Sequence, residues 1–164
     1  MNEKVRKALN DQIRRELDAE YVYLAMSNYF EEENLPGFAT WMRAQAAEER
    51  EHAYRILDHL QERDAGVELQ TLEAPPSDYA SPRDAVEAAL EHEREVTGHI
   101  HDLDDLAQDE GDHPARVMLE WFVEEQVEEE KTFGDLLDNL ERIDGSAAGL
   151  MVLDGKLAGR AGAG

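Results

Sequence analysis

The stretch FATWMRAQAAEEREH, residues 38–52, gives the strongest indication of how this chain folds. Its apolar side chains recur every three or four residues, which is the period of a helix with one buried face. Glu49 and His52 occupy steps of that same face, and the apolar stripe resumes after them at Ile56 and Leu60. A carboxylate and an imidazole are costly to bury without partners, and a bound cation is a common form of compensation. The pair therefore predicts a metal site inside a helical bundle.

Composition limits the classes of function. The chain has 164 residues, which suits one domain, and its formal net charge of −23 disfavours binding to nucleic acids or membrane surfaces. We expect a cytoplasmic protein, because no apolar run approaches the ~20 residues that span a bilayer and residues 1–6 lack the apolar stretch of a secretory signal. Without cysteine, a metal would be held by carboxylates, imidazole and amides, which suit iron, manganese, calcium or magnesium better than structural zinc. The acidic surface is equally compatible with a saline cytoplasm and with the gathering of cations.

Helical periodicity covers most of the chain. Four long segments and one short segment are predicted as helices, at about residues 3–33, 38–65, 82–110, 113–143 and 147–157. Prolines and glycines separate them, including Pro36, Gly37, Gly66 and Gly111. We therefore predict a single domain over residues 1–164: a four-helix bundle at 1–145, a short fifth helix at 146–158 and a disordered tail at 159–164.

The lengths of the connections predict the topology. Short joints make the first and second helices, and likewise the third and fourth, antiparallel neighbours. The joint over residues 66–80 can span about 50 Å at ~3.3 Å per residue, whereas a helix of about 27 residues is only ~40 Å long. This joint can cross the full length of the bundle and set the second and third helices parallel. The expected fold is all-α, an up-down-down-up four-helix bundle with one long crossover.

Each long helix carries at least one polar residue at a buried step near its middle. These residues are Glu16, Glu49, His52, Glu93, Gln126 and Glu129. If the helices pack as predicted, four carboxylates and one imidazole converge on one layer and repel one another unless cations neutralise them. Two divalent ions fit that number of ligands, with Glu49 placed to bridge them. The fourth helix has Gln126 and Glu129 where a symmetric di-iron bundle has a second Glu-x-x-His, so the two metal positions are expected to be unequal.

This pattern resembles that of the prokaryotic non-haem ferritins. The resemblance covers nearly the whole chain and includes AEEREH at residues 47–52 and EEQVEEEK at residues 124–131. It implies a ferritin-like bundle that binds two irons per subunit. In that arrangement the first iron is held by Glu16, Glu49 and His52, and the second by Glu93, Glu129 and the bridging Glu49, with Gln126 beside it. Glu48, Glu125 and Glu128 would match a third iron site, and Tyr23 and Trp121 the aromatic residues beside the centre.

The resemblance also implies a function. Such a protein is an iron-storage ferroxidase: it oxidises Fe²⁺ with O₂ or H₂O₂ and deposits Fe³⁺ as mineral inside a homo-oligomeric shell of 24 subunits. Bacterioferritins bind haem through a methionine that follows the bridging glutamate, and here that residue is Arg50, so we expect no haem.

Simpler interpretations compete for several residues. Glu48, Glu125 and Glu128 could form a solvated acidic face, Tyr23 could be an ordinary core tyrosine, and Trp121 could serve only packing.

Two other functions are open. One is a di-iron peroxidase or oxidase like the rubrerythrins, which stores no mineral; those proteins usually carry a cysteine-rich module and a second Glu-x-x-His, and this chain has neither. The other is a non-catalytic acidic bundle whose carboxylates only bind cations or water.

Overall fold

The computed structural model describes residues 1–160, and within them the chain is helical, with no strand. Its five helices are α1 (Glu3–Glu32), α2 (Pro36–Glu62), α3 (Pro82–Asp109), α4 (His113–Ile143) and α5 (Ala147–Arg160). None of the helices in this range is long and apolar enough to cross a membrane. The predicted all-α bundle with a short C-terminal helix is confirmed, while the cytoplasmic location stays a prediction.

Three residues in the left-handed backbone region lie at helix ends, and α4 ends at Ile143 as predicted. Asn34, Asp64 and Asp144 have φ values of 59°, 51° and 46°, and such values interrupt a right-handed helix. Consequently α2 ends at Glu62 rather than near residue 65. It begins at Pro36, because a proline fits the first helical position, where the missing N–H has no intrahelical partner to lose.

The fifth helix is longer than expected. It continues to Arg160, so the tail predicted for residues 159–164 is wrong at residues 159 and 160, and its remaining residues, 161–164, lie outside the described part of the chain. Leu153 and Leu157 of α5 are buried in the main core. Their packing holds the helix in place, and a helix that has formed extends at little further cost.

Two hydrophobic clusters occupy the two ends of the bundle. One combines the second half of α1 with the first halves of α2 and α3 and the second half of α4. The other combines the opposite halves of the same helices. This arrangement requires α1 and α2 to be antiparallel and α2 and α3 to be parallel. The layer between the clusters is polar, and it contains the residues predicted to bind metal.

The long crossover, residues 63–81, is fixed to α1 by Asn10. This residue is 1% exposed. Its amide donates to the Gly66 carbonyl over 3.0 Å, and its Oδ1 accepts from the Glu68 amide over 2.6 Å. A buried asparagine satisfied by crossover backbone anchors that segment along the bundle.

Gly37 allows α5 to dock against the first turn of α2. A Cβ atom at this position would lie 1.9 Å from the Asp154 carbonyl oxygen. Asp154 also accepts a hydrogen bond from the Phe38 amide over 3.0 Å, and the residue that precedes α2, Leu35, makes no side-chain cap. A residue of α5 therefore caps the N-terminus of α2, and this contact requires a glycine.

We expect Gly37→Ala to displace α5 and destabilise the protein by about 1–3 kcal/mol, the usual cost of forcing an atom into packed structure. Thermal unfolding and limited proteolysis within α5 measure this effect. Gly134→Ala is the matched control, because Gly134 lies inside α4 and a Cβ added there would meet no atom within 4 Å; alanine there should be neutral or stabilising. Equal melting temperatures for the two variants would contradict the docking role.

Candidate metal centre

Glu16, Glu49 and His52 meet in the polar layer, where all three are buried. His52 Nδ1 lies 3.3 Å from Glu49 Oε2 and 3.8 Å from Glu16 Oε2. Candidate ligand atoms of the three residues all lie within 4.8 Å of one another. Among the described residues, neither Glu16 Oε2 nor His52 Nδ1 has a hydrogen-bond partner. Buried polar atoms without partners are rare, and a cation placed among them would satisfy both.

Glu93 of α3 differs because hydrogen bonds engage both of its carboxylate oxygens. The Tyr23 hydroxyl donates to Oε1, and Gln126 Nε2 donates to Oε2 over 3.1 Å. Gln126 Nε2 also lies 3.2 Å from the Glu93 carbonyl oxygen. In this arrangement the Gln126 side chain acts as a hydrogen-bond donor to Glu93. A cation bound to Glu93 would have to share or displace one of these donors.

Burial controls the protonation of the carboxylates in this layer. Burial, reinforced by the charges of Glu93 and Glu48, raises the pKa of Glu129 to about 8. Burial also raises the pKa of Glu49 well above its ordinary value, although His52 opposes the shift. With a pKa of about 8, Glu129 holds a proton near neutral pH, so a cation that binds Glu129 releases that proton.

The pKa of His52 is raised, as expected for an imidazole beside two carboxylates. Burial lowers its pKa, but the nearby carboxylates of Glu16 and Glu49 outweigh burial and raise the pKa to about 11. The two carboxylates thus favour the positively charged imidazolium. A metal ion that binds here replaces that positive charge and takes up the ring nitrogen.

The three carboxylates predicted to form a third iron site, Glu48, Glu125 and Glu128, lie at different distances from the centre. Glu125 forms a second cluster with His52 and Glu129, in which candidate ligand atoms lie within 4.8 Å of one another. Glu48 reaches the surface, yet the partial burial of its carboxyl group and the charge of Glu125 raise its pKa. Glu128 is exposed and joins neither cluster within residues 1–160. The structure therefore brings Glu48 and Glu125 to the edge of the centre but leaves Glu128 outside it.

The two aromatic residues singled out in the sequence both contact the centre. Tyr23 is fully buried, and burial followed by the charges of Glu93 and Glu49 raises its pKa well above the ordinary value. Its hydroxyl stays protonated and donates to Glu93. The Trp121 ring packs edge-on to His52 with ring centroids 5.3 Å apart. Arg55 covers that indole, with its guanidinium carbon 4.0 Å from the ring centroid.

Three residues next to the centre were not predicted from the sequence as part of the site. Gln12 and Gln45 are buried glutamines one turn before Glu16 and Glu49, and they donate to Glu16 and Glu48. Thr97 links the Gln126 amide, at 3.4 Å, to a Glu130 oxygen at 2.7 Å. The signal available in the sequence was their position, since each lies one helical turn from a predicted ligand.

A protein-family model for the ferritin-like domain matches residues 6–143. The chain belongs to the ferritin family. It is 36% identical over 160 residues to a bacterial non-heme ferritin of Bacteroides fragilis, an alignment that covers 98% of this chain and 99% of the relative. A bacterial non-heme ferritin of Staphylococcus epidermidis is 35% identical, with 98% and 96% of the two chains covered.

Solved ferritin structures have the same fold. An open-pore ferritin from the archaeon Archaeoglobus fulgidus superposes with a TM-score of 0.96 at 41% identity, covering 96% of this chain and 98% of that one. A humanized archaeal ferritin gives 0.95 at 40% identity, with 96% of each chain covered. The resemblance to non-haem ferritins found in the sequence is thereby confirmed, and iron storage is the general role that this family membership supports.

Proposed function

We propose that this protein is an iron-storage ferroxidase. The observation that carries the proposal is the buried trio of Glu16, Glu49 and His52, in which two ligand atoms have no hydrogen-bond partner within the described residues. A carboxylate-rich, thiol-free set of ligands with one imidazole suits iron, which binds as the substrate.

In the proposed reaction two Fe²⁺ ions bind per subunit. The first is held by Glu16, Glu49 and His52, and the second by Glu93 and Glu129 with Glu49 shared between them. Each Fe²⁺ gives up one electron, and the two electrons reduce one O₂ to H₂O₂, or one H₂O₂ to two waters, with protons taken from solvent. Glu129 and the His52 imidazolium lose their protons as Fe²⁺ enters, so part of the positive charge that the metal brings leaves again as H⁺.

The two positions are prepared differently for their ions. The first offers free ligand atoms among the described residues, whereas Glu93 is engaged by Tyr23 and Gln126 until a cation competes for it. Gln126 is therefore proposed to stand beside the second iron as a donor to Glu93. Glu48 and Glu125 are proposed to receive the ions as they leave toward the surface. A ligand role for Glu128 at that third site stays a prediction.

A homo-oligomeric shell is required for the storage part of the proposal, because a mineral needs an enclosed volume. Tyr21 and Leu24 on the outer side of α1 are 47% and 40% exposed, and they would pack between subunits. We propose 24 subunits by analogy with the family. The absence of haem stays a prediction; Arg50 lies on the outer side of α2, 3.5 Å from Glu20.

Aerobic addition of Fe²⁺ tests the proposal together with size-exclusion mass. We expect oxidation faster than in buffer and retention of hundreds of irons per assembly, measured by iron analysis of the protein peak. A few irons retained with sustained peroxide consumption would instead indicate a rubrerythrin-like peroxidase. A monomer or dimer, or oxidation no faster than in buffer, would refute iron storage.

A further inference from the structure

Gln12 contacts the proposed centre without belonging to the ligand set. It lies one turn before Glu16 on α1, and both residues are 0% exposed. Its Nε2 donates to Glu16 Oε1 over 2.7 Å. A glutamine is rarely placed in a fully buried position unless its amide has a specific partner. Here that partner is a carboxylate proposed to hold iron.

Arg15 determines which way the Gln12 amide faces. Its Nη1 donates to Gln12 Oε1 over 3.2 Å. A guanidinium can only donate, so it holds the amide oxygen on its own side and leaves the amide NH₂ directed at Glu16. The half-buried Arg15 thus connects the surface of α1 to the carboxylate through a single side chain.

The two oxygens of Glu16 consequently have different roles. Oε1 accepts from Gln12, whereas Oε2 has no partner among the described residues and lies 3.8 Å from His52 Nδ1. We propose that Gln12, oriented by Arg15, is a positioning residue that makes Glu16 a one-oxygen ligand directed toward the His52 side of the centre. This inference rests on the proposed function.

Positioning matters because a carboxylate can bind a metal in more than one way. A glutamate with both oxygens free can rotate about its last bond and bind through one oxygen or two. A hydrogen bond to one oxygen removes that freedom and fixes the direction of the other. Residues that orient metal ligands in this way commonly change metal affinity by about 10–100-fold when they are removed.

Gln12→Met tests the inference in the assembled protein, because methionine keeps the length of the side chain and removes the donor. Co²⁺ is the probe, since it does not oxidise in air under the assay conditions and its visible absorption depends on the number of ligands. We expect the first Co²⁺ to bind about 10–100-fold more weakly than in the unaltered protein. We also expect a lower visible absorption per bound Co²⁺, because the freed Glu16 can donate both oxygens.

Arg15→Met and Arg14→Met form a matched pair that tests the orienting contact. Both remove an arginine from the same helix, but Arg14 pairs with Asp18 and does not contact Gln12. We expect Arg15→Met to weaken binding of the first Co²⁺ by about threefold, which is the effect of losing one partly exposed hydrogen bond. Arg14→Met should leave Co²⁺ affinity and absorption unchanged.

The outcomes separate a positioning role from a purely structural one. A lower melting temperature in Gln12→Met with unchanged Co²⁺ affinity and absorption would overturn the inference. If Gln12→Met fails to assemble, equal Co²⁺ binding by the two arginine variants would overturn it. Failure of the proposed function looks different, because the unaltered protein would then not bind Co²⁺ at the centre or speed Fe²⁺ oxidation.

Discussion

Replacing Glu49 and His52 together by alanine is expected to slow the rapid oxidation of Fe²⁺ by about 100-fold or more, to the rate in buffer. Both residues are buried in the polar layer, and the first metal position has only one other proposed ligand, Glu16. Loss of first-position ligands should exceed the ~10–100-fold effects of residues that merely orient ligands. The initial rate of absorbance increase after aerobic Fe²⁺ addition is the measurement.

The control for this variant is the double change His59→Ala, Glu62→Ala. These residues have the same types and the same three-residue spacing on α2, but they lie toward its C-terminal end and outside both candidate metal clusters of residues 1–160. The control should oxidise Fe²⁺ at the unaltered rate, and both variants should elute at the mass of the assembled protein. Rapid oxidation that persists without Glu49 and His52 would refute the site.

The second large effect is a loss of stability of the metal-free protein as pH rises. Glu129 has a pKa of about 8 in the folded protein, against 4.5 for an ordinary glutamate. Its contribution to the free energy of unfolding is fully present below about pH 4.5 and is lost as pH rises through 8. Between these two values the glutamate ionises in the unfolded chain but stays protonated in the folded protein. Each pKa unit corresponds to ~1.4 kcal/mol, so Glu129 alone accounts for roughly 5 kcal/mol at most. His52 also makes the folded protein less stable as pH rises, because its pKa is about 11 in the folded protein and 6.5 for an ordinary histidine.

We therefore expect the melting temperature of metal-free protein to fall between pH 5 and pH 8. Glu129→Gln removes the titrating group while keeping the side-chain shape, so its melting temperature should fall less over the same range. Glu128→Gln is the control, because Glu128 is exposed and should leave the pH dependence unchanged. Co²⁺ should raise the melting temperature more at pH 8 than at pH 5, where protons compete for the carboxylates. Parallel pH profiles for the unaltered protein and Glu129→Gln would contradict this assignment.

The sequence predicted which residues lie in the buried polar layer, but not how their side chains are hydrogen-bonded. Glu16, Glu49, His52, Glu93, Gln126 and Glu129 were placed at buried helical steps, and all six are buried. Their roles as metal ligands remain proposals. Periodicity could identify them because a polar residue on an apolar stripe is costly unless it has a buried partner, and four helices carry one at the same depth.

The same pattern could not reveal how each carboxylate is engaged. Glu16 and Glu93 look alike in sequence, yet within the described residues one has an oxygen without a partner and the other has both oxygens occupied. The difference comes from Tyr23 and Gln126, which belong to helices other than that of Glu93. Hydrogen bonds between helices depend on packing distances of a few tenths of an ångström, and the helical period does not contain that information.

The helix ends were also predicted only in part from the sequence. Pro36 and Gly37 were expected to break the chain, but Asn34 supplies the left-handed residue and Pro36 begins α2. Gly37 serves instead as the contact point for α5. A glycine required by the close approach of a distant backbone gives the same letter in the sequence as a glycine required by a turn.

Periodicity and connection lengths were enough to predict the number of long helices, the parallel setting of α2 and α3, and the depth at which the polar layer lies. Each of these features depends on residues close together in the chain. Other features emerged only from the packed helices: α5 caps α2 through Asp154, Glu93 is held by two donors, and Gln12 occupies one of the two oxygens of Glu16. They depend on which side-chain atoms approach within hydrogen-bond distance after the helices have packed.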